Sequence, residues 1–144
     1  MYKLLIVLLG LMTVAAAGNF DTYGEVKSAL EDGKNLSLVI DFSECDNKPD
    51  MQLELIIRPN NFKIYPEVIT FYIDGLALNN PSFPNIPVYE HTQYVIKRNA
   101  ILRVLGSDVI EVWGSILSAD RTKILRQVNK PIVCKLGKAA NLYD

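Results

Sequence analysis

From Gly33 to the C-terminus the chain alternates between apolar and polar positions. Leu36, Leu38, Ile40 and Phe42 are apolar while Ser37 and Asp41 between them are polar, the period of a strand with one buried face. Met51, Leu53, Leu55 and Ile57 repeat the pattern around Gln52 and Glu54, and Pro59–Asn60–Asn61 then turns the chain. Phe62–Tyr65 and Val68–Ile73 are β-branched and aromatic, with Pro66 between them. Residues 79–87, Asn-Asn-Pro-Ser-Phe-Pro-Asn-Ile-Pro, form the longest turn-rich stretch. Val88–Lys97 and Ile101–Leu105 read as a hairpin turning at Arg98–Asn99–Ala100. Gly106–Ser107–Asp108 leads into Val109–Leu117, and Ile132–Leu136 reads as the last strand. Residues 119–129 fit a helix face or a strand, because Ile124, Leu125 and Val128 suit both periods.

One segment before this has the other period. Thr22 and Glu25 form a capping box, in which the hydroxyl accepts the Glu25 amide and the carboxylate reaches back. Tyr23, Val26, Ala29 and Leu30 then recur at helical spacing, and Gly33 is a natural stop, giving a helix over about 22–32. The fold class expected is α+β: one N-terminal amphipathic helix packed on an antiparallel or barrel-like sheet of about seven or eight short strands.

Residues 1–17 stand apart. Lys3 gives a positive start, Leu4–Val14 is apolar apart from Gly10 and Thr13, and Ala15–Ala16–Ala17 offers a small-x-small cleavage site. This is the pattern of a secretory signal peptide, followed by a single domain over 18–144. The apolar run is too short for a membrane anchor, so the expected product is secreted, extracellular and without a membrane span. Composition excludes another class: 15 Lys and Arg against 16 Asp and Glu leave no basic excess for nucleic acid.

Secretion changes how Cys45 and Cys134 are read. They are the only two cysteines, and in an oxidising compartment an even pair in a small domain usually bonds. A redox dithiol would want a C-x-x-C spacing. Two buried free thiols, or a bridge between two copies, are the remaining alternatives. Asn35–Leu36–Ser37 is a valid glycosylation sequon at Asn35, whereas proline disqualifies Asn80–Pro81–Ser82.

Catalytic signals are sparse. His91 is the single histidine, on the strand face of Tyr89, Gln93, Val95 and Lys97, and Ser115 follows Gly114 inside a strand with no nucleophile elbow. Zinc would need three or four ligands and finds one His plus the two cysteines. Glu44, Asp46 and Asp50 flank Cys45 without the loop pattern of a calcium site. No phosphate-cradling glycine motif occurs, so neither metal nor cofactor is expected. Asp41, Asp74 and Glu111 could supply a carboxylate pair if the sheet brought them together. Tyr65, Phe71, Tyr72, Tyr89, Tyr94 and Trp113 could line a pocket, though such residues more often fill core and sheet faces.

The block Thr22-Tyr-Gly-Glu-Val-Lys-Ser-Ala-Leu-Glu-Asp-Gly-Lys34, followed by Asp41-Phe-Ser-Glu-Cys45, resembles the VirK family of small secreted proteins. Val68-Ile-Thr-Phe-Tyr-Ile-Asp74, Tyr94-Val-Ile-Lys-Arg98 and Val133-Cys-Lys-Leu-Gly137 extend the resemblance over nearly the whole domain. Residues 75–88 depart from it, with extra prolines. The resemblance implies secretion, the disulfide and the fold; the family has no established activity, so it transfers no active site. The expected function is therefore that of a monomeric, non-enzymatic protein with an unidentified extracellular target, an effector or a venom- or saliva-type toxin component. The alternatives are a carrier of a small apolar ligand and a hydrolase using a carboxylate pair.

Overall fold

The computed structural model describes residues 19–47, 54–98 and 108–144. Residues 1–17, expected to be a signal peptide, Asp50, the first part of the strand expected at 51–57, and the expected strand 101–105 lie outside the described residues.

The helix starts where the capping box puts it. Thr22 is extended and its Oγ1 accepts the Glu25 amide at 3.2 Å, opening helix α1 (Tyr23–Glu31). The second half of the box differs from expectation, since the Thr22 hydroxyl donates to the Glu25 carboxylate at 3.0 Å. At the other end Gly33 takes φ 80°, a left-handed conformation that a Cβ would disfavour, and the amides of Gly33 and Lys34 return to the carbonyls of Leu30 and Ala29.

Among the described residues ten strands pair antiparallel: β1 (Asn19–Phe20), β2 (Ser37–Asp41), β3 (Glu54–Ile57), β4 (Lys63–Ile64), β5 (Val68–Ala77), β6 (Val88–Lys97), β7 (Val109–Ser118), β8 (Ile124–Gln127), β9 (Ile132–Lys135) and β10 (Ala140–Tyr143). They divide between two sheets. A terminal sheet has the order β1-β10-β2-β3, and a long-strand sheet has the order β4-β5-β6-β7-β8, with β9 on the β8 side of β7. The α+β class with antiparallel strands and one leading helix is found, whereas the sheets are not barrel-like and the strand number differs from the seven or eight expected. β1 and β4 are too short for a period of two to show, and β10 alternates buried Ala140 and Leu142 with Asn141 and Tyr143, a weak signal.

Three further points go beyond what the strand patterns specify. The turn Pro59–Asn60–Asn61 is found, but it passes the chain from one sheet to the other. β6 pairs over ten residues with β5 on one side and β7 on the other. Residues 124–127, ambiguous between helix and strand, are strand β8, held on β7 by backbone pairing.

The inward faces of both sheets and of α1 form one buried cluster. Ile69, Phe71, Tyr94, Ile96, Ile110 and Val112 meet Leu38, Ile40, Ala140 and Leu142, with Tyr23, Val26 and Ala29 from the helix. Each fully buried Leu, Ile or Phe there is worth about 1.5–3 kcal/mol. The Tyr23 amide donates to the Asp108 carboxylate at 2.8 Å and its hydroxyl to the Tyr65 carbonyl at 3.2 Å, fixing the start of α1 against the long-strand sheet.

Burial acts on one group of this core. Tyr94 is 4% exposed, and desolvation pushes its phenol from 10.0 up to about 12. Between these values the unfolded chain releases the proton while the folded chain keeps it. Stability should be unaffected by Tyr94 below pH 10 and fall as pH rises from 10 to 12, by on the order of 2–3 kcal/mol. Urea midpoints of wild type and Tyr94→Phe at pH 9 and 11.5 test this. Equal pH dependence in the two proteins would refute it.

The disulfide joins Cys45 to Cys134, with Cα atoms 4.5 Å apart. Cys45 follows a 3-10 turn, Phe42–Glu44, at the exit of β2, and Cys134 lies in β9, which β10 follows, so its strand is not the last. Asp46 and Val133 exchange two backbone bonds beside it, at 2.8 and 3.0 Å. The bridge therefore ties one sheet to the other.

Candidate functional site

β5, β6 and β7 outrun the core. On β5, burial ends at Phe71, and Asp74, Gly75 and Leu76 are exposed. The register fixes which side chains share the outer face, because directly opposed residues point the same way. Tyr72, Gln93 and Trp113 form one row across the three strands, and Asp74, His91 and Ser115 form the next.

Within these rows the contacts are specific. His91 Nδ1 lies 2.5 Å from Asp74 Oδ1, with the two side chains 33% and 35% exposed. The Tyr72 ring stands 5.1 Å from the imidazole, and Gln93 donates to the Tyr72 hydroxyl at 3.4 Å. Asp74, His91 and Ser115 are the residue types of an acyl-transfer triad, and the sequence search rejected that reading for lack of a motif. Their alignment depends on register, which no local motif announces. No hydrogen bond joins His91 to Ser115. Ser115 lies inside the sheet, opposite His91 on one side and Gln127 on the other, and not at an exposed strand-to-helix elbow. The row offers an oriented imidazole and a carboxylate on an open face.

Beside it lies a cleft of about 490 Å³. One wall is the chain leaving β3, from Ile57 through Arg58, Asn60 and Asn61; the other is Tyr72 to Asp74 of β5. Asn61 holds the walls together. Its carboxamide donates to the Tyr72 carbonyl at 3.0 Å and accepts the Tyr72 amide at 3.2 Å, as a neighbouring strand would. Arg58 donates through Nε to the Ser37 hydroxyl at 3.0 Å, which anchors its stem. Pro59 keeps the connection tight. The floor is apolar at Ile57 and Ile73.

The other sequence candidates lie apart. Asp41 accepts the Ser43 amide at 3.0 Å and caps the 3-10 turn in the terminal sheet. Glu111 pairs with Lys97 at 2.8 Å, on the same outer face as Asp74 but two strands across and four residues along. That separates the two carboxylates by roughly 16 Å, beyond the 6.5–9.5 Å of a glycosidase pair. Asn35 is exposed between α1 and β2. Glu44 and Asp46 flank Cys45, and among the described residues no cluster of three His, Cys, Asp or Glu is placed to hold a metal. Phe71 and Tyr94 stack at 4.6 Å inside the core, while Tyr72, Tyr89 and Trp113 are half-buried on the outer face, Tyr89 beneath the Arg121 guanidinium at 4.3 Å. Asp120, in the turn after β7, accepts from the Ser118 and Thr122 hydroxyls, and these bonds hold its carboxyl down at about 2.

A family model described as VirK protein matches residues 19–105, which takes in α1, Cys45, both walls of the cleft and the Asp74–His91 pair. The chain belongs to the VirK family. The solved structures include a crystal structure of lpg1832, a VirK family protein from Legionella pneumophila, that is similar with a TM-score of 0.71. It is 18% identical and the likeness covers 89% of this chain and all of that one, so the VirK fold is shared while side chains at the cleft are not implied to be. No curated protein matches the chain in sequence. The VirK match ends before Cys134, so the resemblance of Val133–Gly137 rests on its residues alone.

Proposed function

We propose that this VirK family member is secreted, loses residues 1–17 as a signal peptide, and acts outside the cell as a non-enzymatic, disulfide-bonded binding protein, an effector or a secretory-gland component. The observation that carries the reading is the cleft between the two sheets, where Arg58, Asn60, Asn61 and Asp74 present polar groups above an apolar floor, the composition of a recognition site. Binding is favoured over apolar carriage because Phe71 and Tyr94 fill the space between the sheets by stacking. It is favoured over hydrolysis because Asp41, Asp74 and Glu111 are each engaged in a separate interaction. A disulfide across the two sheets, and the lack among the described residues of a helix long and apolar enough to cross a membrane, are in keeping with secretion.

Intact-mass measurement of the soluble protein recovered from the medium of a secreting host, expressed with residues 1–144, tests the proposal. The product should begin within a residue or two of Gly18 and be two hydrogens lighter than its reduced form. A soluble product that keeps Met1–Ala17, or one with two free thiols, would overturn it.

A further inference from the structure

The two walls of the cleft are unfinished in a particular way. In an antiparallel strand the N–H and C=O of one residue point to the same side, and the side alternates along the chain. The Val68 carbonyl accepts the Tyr65 amide at 2.8 Å on the β4 side, and both backbone groups of Tyr72 meet Asn61 on that side. By this alternation Asp74 and Leu76 also aim their N–H and C=O there. β4 reaches only as far as Thr70. Among the described residues nothing pairs with Asp74 or Leu76 on that side, and both are exposed, Leu76 at 60%.

Open edges are usually blocked by lysine, proline, a bulge or a covering segment. Here the edge carries Gly75 and an exposed Leu76, and the charge of Asp74 is turned along the sheet face toward His91. Asn61 shows the chemistry this edge accepts, because a carboxamide has the donor and acceptor of a peptide group. The two open positions continue the same series at the two-residue repeat of roughly 6.8 Å, which matches extended backbone.

We infer that the cleft takes an extended peptide segment of a partner protein, added as a strand along Asp74–Leu76 of β5. The inference rests on the binding reading of the cleft given above. The added strand would take its main-chain bonds from Asp74 and Leu76. Side chains on its inner face would meet Ile57 and Ile73, which selects an apolar residue, and Arg58 at the cleft wall selects an acidic side chain or a terminal carboxylate. A second copy of this chain is a poorer occupant. Self-pairing over so short an edge would bury far less than the roughly 1,200 Å² of a stable interface, whereas a peptide also uses the cleft walls.

The test pans a phage-displayed library of linear random peptides on the oxidised protein and measures the enriched peptides by titration. Binding should weaken at least about tenfold in Leu76→Pro, which removes an outward N–H and leaves the ladder to β6 intact. N-methylation of successive peptide residues should weaken binding at alternate positions only. In the wild-type protein, where no substitution can disturb folding, peptide addition should slow amide exchange at Asp74 and Leu76. Unchanged exchange at both amides, or a library that yields no binder, would overturn strand addition, and self-association that Leu76→Pro abolishes would overturn the partner peptide as its occupant. Peptides lost with Arg58→Ala and indifferent to Leu76→Pro would overturn strand addition and leave the cleft as the binding surface. Peptides indifferent to both would remove the cleft as well.

Discussion

Replacing Cys45 and Cys134 together by alanine should lower the stability of the folded chain by about 2–5 kcal/mol. The bond closes a loop with a sequence separation of 89 residues, and the chain-entropy model assigns such a loop about 4–5 kcal/mol. The double substitution is the cleaner test, because a single one leaves a thiol free to form dimers. Both cysteines are buried, Cys45 at 6% and Cys134 at 0% exposed, so alanine adds a small loss of packing to the entropic effect. The consequence should be directional. Asp46 and Val133 hold the two sheets together beside the bridge, and their amides should lose exchange protection sooner than those of Ile96 or Ile110. Urea denaturation of the oxidised, reduced and double-alanine proteins gives the magnitude. A loss below about 1 kcal/mol, with the Asp46 and Val133 amides still protected, would show that packing alone joins the sheets.

Phe71→Ala should cost about 3–5 kcal/mol, comparable to the disulfide, from a single side chain. Phe71 is fully buried on β5. It stacks on Tyr94 at 4.6 Å with 5° between the planes and meets the edge of Phe62 at 4.9 Å. It thus joins its own strand, the neighbouring β6 and the chain entering β4. Removing the ring leaves a cavity that neither rigid neighbour can fill. Ile56→Ala is the comparison, since Ile56 is 70% exposed on the edge strand β3 and should change stability by less than about 0.5 kcal/mol. Equal effects of the two substitutions would mean that the core around Phe71 can collapse.

Much of the local structure is written in short-range pattern. Thr22, Glu25 and Gly33 mark the helix because capping groups must lie within a turn of the ends they satisfy. Leu38, Ile40, Phe71, Tyr94, Ile96, Ile110 and Val112 fall on buried faces because alternation is a property of each strand by itself. His91 shares a face with Tyr89, Gln93, Val95 and Lys97 for the same reason. Two cysteines leave one intrachain pairing, whatever the fold.

What alternation cannot carry is the identity and register of the neighbouring strand, which depend on residues far away in sequence. Only the assembled sheets place Asp74 opposite His91 and His91 opposite Ser115, send β2 and β3 into a different sheet from β5, and make Pro59–Asn60–Asn61 a crossing between sheets. The cleft follows from that crossing. The open groups of Asp74 and Leu76 follow from the length of β4, which stops after two residues where Asn61 takes the place of the next pair. Strand faces are decided one residue at a time by burial, whereas the site is decided by which strands meet, and that is a property of the tertiary structure.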